Sequence, residues 1–328
     1  MSAPADGQWQ QRPEGGSRFA IWLIRSIARY GGRLMSRPLL IPITVYFMLV
    51  RGPERRASRA YLERVLGRPA TLWEAARHIH CFASTILDRV FMLSGQFRSF
   101  DLEITGLETL HERIDRSGVL LFGSHHGSFE ALRVLSRERP DVRVRVVMDR
   151  GQNATVTQLL EALCPDIAET VIDASQDGTS ITLAIRDATE SGALVSLLVD
   201  RARGAEPVQW IPFLGAPAPF PSAPFLIAAA LKVPVLICFA LYRGGRQYGL
   251  HFELFDEGID LPRAQRAQKL LGLQQRYVER LEHYVRLAPY NWFNFYDFWR
   301  TDDPHPTLPL AHPAAPAVEP VEPVEPRR

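Results

Sequence analysis

Between residues 100 and 287, short β-rich runs alternate with helical ones, and this alternation limits the possible folds more than any other feature of the chain. Candidate strands lie at 102–105, 119–122, 143–148, 169–173, 194–199, 235–242 and 248–255. Helical stretches fall near 128–136, 155–163, 180–189 and 223–231. Strands alternating with helices imply an α/β fold, a mostly parallel mixed sheet flanked by helices. The last two strands, split at Gly244-Gly245, read as an antiparallel pair. Upstream, 54–66 and 71–93 have helical periodicity, and Thr71-Leu72-Trp73-Glu74 has the form of a capping box opening the second. A long helix over 262–287 closes the domain.

Composition narrows the function. The chain has 328 residues, 46% hydrophobic and 23% charged, as an ordinary folded protein does. A net charge of +2 gives no general basic field for nucleic acid. Cys81, Cys164 and Cys238 are odd in number and far apart, which argues against a disulfide framework and a cysteine zinc site. The charge is unevenly placed, however: residues 1–68 hold twelve arginines against four acids. Arg25, Arg29, Arg33 and Arg37 recur every four residues among Trp22, Leu23, Ile27, Tyr30 and Leu34, the pattern of a membrane-surface helix with its arginines toward headgroups. The charge-free run 38–50 is too short to span a bilayer and contains Pro42, so a shallow or re-entrant anchor is expected, the alternative being a core helix whose arginines face water. The chain therefore divides into a disordered start and membrane-associating segment at 1–53, a folded domain at 54–300, and a Pro-rich tail at 301–328 that cannot bury a core. The charge-free, proline-rich stretch 207–231 reads as an apolar loop feeding a short helix, suited to line a pocket for a greasy substrate.

The chemistry is concentrated in Val119-Leu120-Leu121-Phe122-Gly123-Ser124-His125-His126-Gly127-Ser128-Phe129-Glu130. An apolar strand runs into glycine and two histidines, and a helix begins near Gly127. Ligands of open α/β sheets bind beyond the carboxyl ends of strands, where these histidines fall. Across such a junction Glu130 is able to reach back to His125, fix its tautomer and leave the other ring nitrogen as a base. That would be a triad without its nucleophile, which the substrate supplies. Other roles stay open for these residues: Glu130 as a helix-dipole partner, and His126 as packing. The sequence has no His-Glu-x-x-His helix, no Gly-x-Ser-x-Gly elbow and no phosphate-binding glycine loop.

His125-x-Gly127-x-Phe129-Glu130 resembles the His-x4-Asp/Glu motif of the lysophospholipid acyltransferase superfamily, in particular the branch of the late acyltransferases of lipid A biosynthesis. Arg55-Arg56, Arg150 with Asn153, Asp200-x-x-x-Gly204, Phe213-Leu214-Gly215-x-Pro217, Pro234-Val235 and Pro289-x-x-Trp292-Phe293 follow in the family's order. The resemblance implies a membrane-associated acyltransferase on the cytoplasmic face of the bacterial inner membrane. It would move a fatty acyl group from an acyl carrier protein or coenzyme A thioester to a hydroxyl or amine of a lipid acceptor. By the same resemblance His125 is the base and Glu130 its orienter. The N–H groups at Gly127 and Ser128, with Arg150, meet the oxyanion, and Asp200 joins the substrate-binding set. No metal, no cofactor beyond the thioester and no nucleic acid is implied. Ser128 and Phe129 stand where the branch commonly has asparagine and tryptophan. A hydrolase using the same dyad on water, and a non-catalytic lipid-binding protein, are the alternatives the residues leave open.

Overall fold

The computed structural model describes residues 32–134, 141–149, 170–202 and 206–299. Arg25, Arg29, Arg150, Asn153, the helical stretch 155–163 and the Pro-rich tail lie outside them.

The described chain opens with helix α1 (Gly32–Ser36), a 3-10 turn (Arg37–Leu39) and α2 (Leu40–Val50). Pro42 does not break this run. It sits in the first turn of α2, where a missing N–H is tolerated. Helical structure thus covers 19 residues, Gly32–Val50, rather than the 13 counted from the charge-free run. It is the one helical segment among the described residues long and apolar enough to cross a membrane. One side packs on α4 (Leu72–Leu93), where Thr44 and His80 share a hydrogen bond of 3.1 Å. The other side leaves Leu34, Met35, Ile41, Val45, Tyr46 and Leu49 exposed. Arg33 departs from the expected headgroup-facing pattern. It is buried and grips Asp88 with both ends of its guanidinium, at 2.7 and 2.8 Å, while Tyr248 donates to the same carboxylate at 2.9 Å.

Helix α3 (Gly52–Leu66) leads to α4, and the Thr71–Glu74 capping box is formed. The remaining elements are β1 (Asp101–Thr105), α5 (Leu107–Ile114), β2 (Val119–Gly123), a 3-10 turn (Phe129–Val134), β3 (Val144–Met148), β4 (Val171–Asp173), α6 (Gly178–Glu190), β5 (Leu194–Leu198), the pair β6 (Val208–Phe213) and β7 (Ala216–Pro221), α7 (Ala223–Leu231), β8 (Val235–Gly244), β9 (Gln247–Asp256) and α8 (Arg266–Leu287). The main sheet has the order β1-β9-β8-β2-β5-β3-β4, with β8 to β4 mutually parallel and β9 antiparallel to β8. The fold is therefore the α/β arrangement read from the sequence.

Central strand β2 is buried along its whole length. Because side chains alternate across a sheet, Leu120 and Phe122 enter the core under α7 and α8, while Val119 and Leu121 enter the core under α4 and α5.

Two expectations need correction. Stretch 207–231 is not a loop: β6 and β7 form an antiparallel hairpin turned at Leu214-Gly215, followed by α7. Prolines fit there because a two-stranded ribbon leaves one edge of each strand unpaired. Its Phe213, Phe220, Phe225 and Ala228 pack into the core, where Phe213 meets the Trp292 ring, rather than lining an open pocket. The helix expected from Ser128 begins instead as the 3-10 turn Phe129–Val134.

Candidate active site

Strands β2 and β5 are parallel neighbours in register, Gly123 opposite Leu198, and they end together at the carboxyl edge of the sheet. His125 lies two residues beyond the first and Asp200 two residues beyond the second. This shared offset brings them face to face: His125 Nδ1 is 2.8 Å from Asp200 Oδ1. The His125 backbone N–H donates to Asp200 Oδ2 at 3.1 Å, and the Trp292 indole N–H donates to the same oxygen at 3.0 Å.

Asp200 is completely buried, which opposes its ionisation. The His125 ring, the hydrogen bonds it receives and the Arg201 guanidinium override that cost and hold the carboxyl well below the usual carboxylate range. An ionised Asp200 only accepts hydrogen bonds, so the neutral imidazole carries its proton on Nδ1 and Nε2 has the free lone pair. The His125 side chain is 38% exposed, so the ring remains open to a reactant. Burial and the Arg201 charge lower the His125 pKa, against the opposing pull of Asp200. Arg89 adds a smaller lowering. A neutral, oriented, accessible imidazole is the form a general base needs.

His126 is unlike its neighbour. It is 2% exposed, lies edge-on to Phe239 at 6.0 Å, and burial pushes its pKa down to about 3. Its place is in the packing beneath the turn.

The predicted partners divide. Glu130 does not supply the contact expected of it: its carboxylate pairs with Arg89 of α4 at 2.8 Å, while Asp200 occupies Nδ1 of His125. The reason is geometric, because Glu130 lies one step into the 3-10 turn and faces α4 rather than the β5 edge. Gly127 and Ser128 adjoin His125, but their N–H groups are committed to carbonyls, to Asn291 at 2.8 Å and Ala240 at 2.9 Å. They stitch the turn to the sheet and are not free to meet an oxyanion. Gly127 is obligatory for the turn, with φ +75° and the position of a Cβ only 1.7 Å from the Ala240 carbonyl oxygen. Arg150 lies outside the described residues.

A strap from the end of the domain closes the site. Trp292 bridges His126, and the Phe293 N–H donates to the His125 carbonyl at 2.9 Å. Arg201 donates to the Phe293 carbonyl and lies over the Tyr296 ring at 5.3 Å. Arg201, Arg89 and the indole of Trp292 carry no local sequence signal that marks them as site residues. The signal for the Asp200 pairing was present, in two apolar parallel strands whose following residues, at equal offset, are histidine and aspartate.

The family model for bacterial lipid A biosynthesis acyltransferases matches residues 85–301, which include every site residue described above. No curated protein matches the chain.

Proposed function

The chain belongs to the bacterial lipid A biosynthesis acyltransferase family, and from that premise we propose that it moves a fatty acyl chain from an acyl carrier protein or coenzyme A thioester to a hydroxyl or amine of a lipid acceptor. One observation carries the reading: an accessible imidazole whose Nδ1 is tied to a buried carboxylate at 2.8 Å. The acceptor heteroatom attacks the thioester carbonyl while His125 Nε2 takes its proton. Asp200 keeps the ring in the productive tautomer and stabilises the imidazolium. Arg201, 3.8 Å from Asp200, and Arg89, paired with Glu130, are the candidates to meet the negative charge on the tetrahedral oxygen, with Arg150 a third. When the carbon–sulfur bond breaks, the thiolate recovers the proton from His125 and the base is regenerated. The cycle consumes only donor and acceptor. Glu130, through its pair with Arg89, sets the position of that cation.

The exposed apolar side of Gly32–Val50, together with the arginine excess that the sequence carries over residues 1–68, supports binding to an anionic membrane. The reading sets the protein on the cytoplasmic face of the bacterial inner membrane, where a soluble thioester meets a lipid acceptor. Mass spectrometry of reactions with donor alone and with donor plus a bacterial lipid extract tests the proposal. An acylated lipid that forms only with the acceptor, and not with His125→Ala, supports it. Free fatty acid at equal rate in both would make the protein a thioesterase.

A further inference from the structure

Trp292 is completely buried, and its indole N–H donates to Asp200 Oδ2 at 3.0 Å. Its ring is wedged among Tyr61 at 5.1 Å, Phe213 at 5.2 Å and Phe298 at 5.0 Å, so the indole N–H has no freedom to aim elsewhere. Its backbone is pinned from the other side. The Trp292 carbonyl lies 2.9 Å from His78 Nε2, and His78 Nδ1 lies 2.8 Å from the Ser58 hydroxyl. The carbonyl only accepts, so His78 donates from Nε2 and accepts from Ser58 at Nδ1. Burial lowers the His78 pKa to about 4, which keeps this link in one neutral tautomer at physiological pH.

From this geometry we infer that Trp292 is a positioning residue for the base: its indole N–H holds the second oxygen of Asp200 and sets how strongly that carboxylate binds the His125 ring, while His78 and Ser58 lock the tryptophan in place. The inference rests on the reading of His125 as the base. A carboxylate shares its charge among its donors. Without the indole N–H, more of that charge falls on the imidazole, the imidazolium gains stability, and the His125 pKa rises. The other charged or titratable groups facing this pair are Arg201 and Tyr296 on the strap side, Arg89 of α4, Tyr277 of α8 and the neighbouring His126. None of them is altered by the substitution below.

The test is Trp292→Phe in the full-length protein, read in two ways. The His125 ring is titrated by NMR without substrate, and turnover is followed against pH with a saturating acyl thioester and a lipid extract as acceptor. The expected result is a His125 pKa higher by about half to one unit and an acid limb of turnover displaced by the same amount, with KM for the donor little changed. If Trp292→Phe fails to fold, 3-benzothienylalanine at position 292 keeps the bicyclic shape and lacks only the N–H, and the same shifts are expected. An unchanged His125 pKa and acid limb in the folded variant would overturn the inference, whatever happened to the rate. His125→Ala separates this from failure of the underlying reading: if that variant keeps full turnover, His125 is not the base, and the titration alone decides the role of Trp292.

Discussion

Replacing Asp200 by asparagine preserves size and removes charge at a fully buried position that receives three hydrogen bonds. The amide oxygen is able to serve some of the three donors, but its nitrogen accepts none. Either the amide oxygen keeps the His125 Nδ1–H and its tautomer while the His125 backbone and Trp292 indole N–H donors lose their partner, or the ring exchanges tautomers, Nδ1 accepts from the amide, and Nε2 carries the proton. The first outcome costs about 1–3 kcal/mol of stability for each stranded donor. The second removes the base, whose contribution is about 10²–10⁴ in rate. Asp200→Asn is therefore expected to lower turnover at saturating donor at least about a hundredfold, with the fold retained by circular dichroism. Its effect on stability has a defined sign. The Asp200 pKa is depressed on folding, so the contribution is complete above the unfolded carboxyl value near 4 and is lost as pH falls toward the lower folded value. The stability difference between wild type and Asp200→Asn should then be constant at neutral pH and shrink only in acid. If Asp200→Asn turns over within threefold of wild type while Glu130→Gln collapses, the carboxylate acting on His125 is Glu130 and the pairing described here is not the catalytic one.

Gly127→Ala places a Cβ on the Ala240 carbonyl oxygen at φ +75°, and the expected outcome is loss of folded protein or a fall in Tm of many degrees. Asp88→Ala strands the buried Arg33 guanidinium and should cost about 3–5 kcal/mol, read by denaturant unfolding. Simultaneous Arg33→Met should recover part of it. The depressed pKa of His78 means that the unfolded chain binds a proton between about pH 6.5 and 4 that the folded chain refuses. Stability therefore falls as pH drops through that window, and His78→Gln should flatten this part of the profile. Charging the exposed side of Gly32–Val50, with Ile41→Asp and Leu49→Asp together, should release the protein from anionic vesicles in a sedimentation assay. Undiminished binding would place the membrane contact elsewhere.

The sheet is legible because its strands carry their signal locally: β2 is apolar up to its closing Gly123, and β5 is apolar apart from Ser196. Hairpin β6–β7 was obscured because proline argues against strands in general, and only pairing along one edge makes Pro212 and Pro217 acceptable neighbours. Pro42 misled in the opposite direction, since its position in the first turn of α2 depends on a helix start that the residues themselves do not mark. At the site, His125 is legible from its place after a strand, but its partner lies 75 residues away in sequence rather than five. Local spacing favours Glu130. The choice of Asp200 follows from the β2–β5 register, a long-range property, and from Arg89 of α4 taking up Glu130. The same holds for Gly127 and Ser128, whose N–H groups look available until Asn291 and Ala240 are brought against them.

The central claim, acyl transfer with His125 as the base, is tested most directly by single-turnover transfer from a labelled acyl carrier protein thioester to a lipid acceptor, comparing wild type with His125→Ala and His126→Ala, each verified as folded. The account predicts an acylated lipid from wild type, a loss of at least about a hundredfold for His125→Ala, and a far smaller loss for His126→Ala, whose ring is packed beneath the turn. Transfer by His125→Ala at the wild-type rate, or a requirement for His126 in its place, would contradict it.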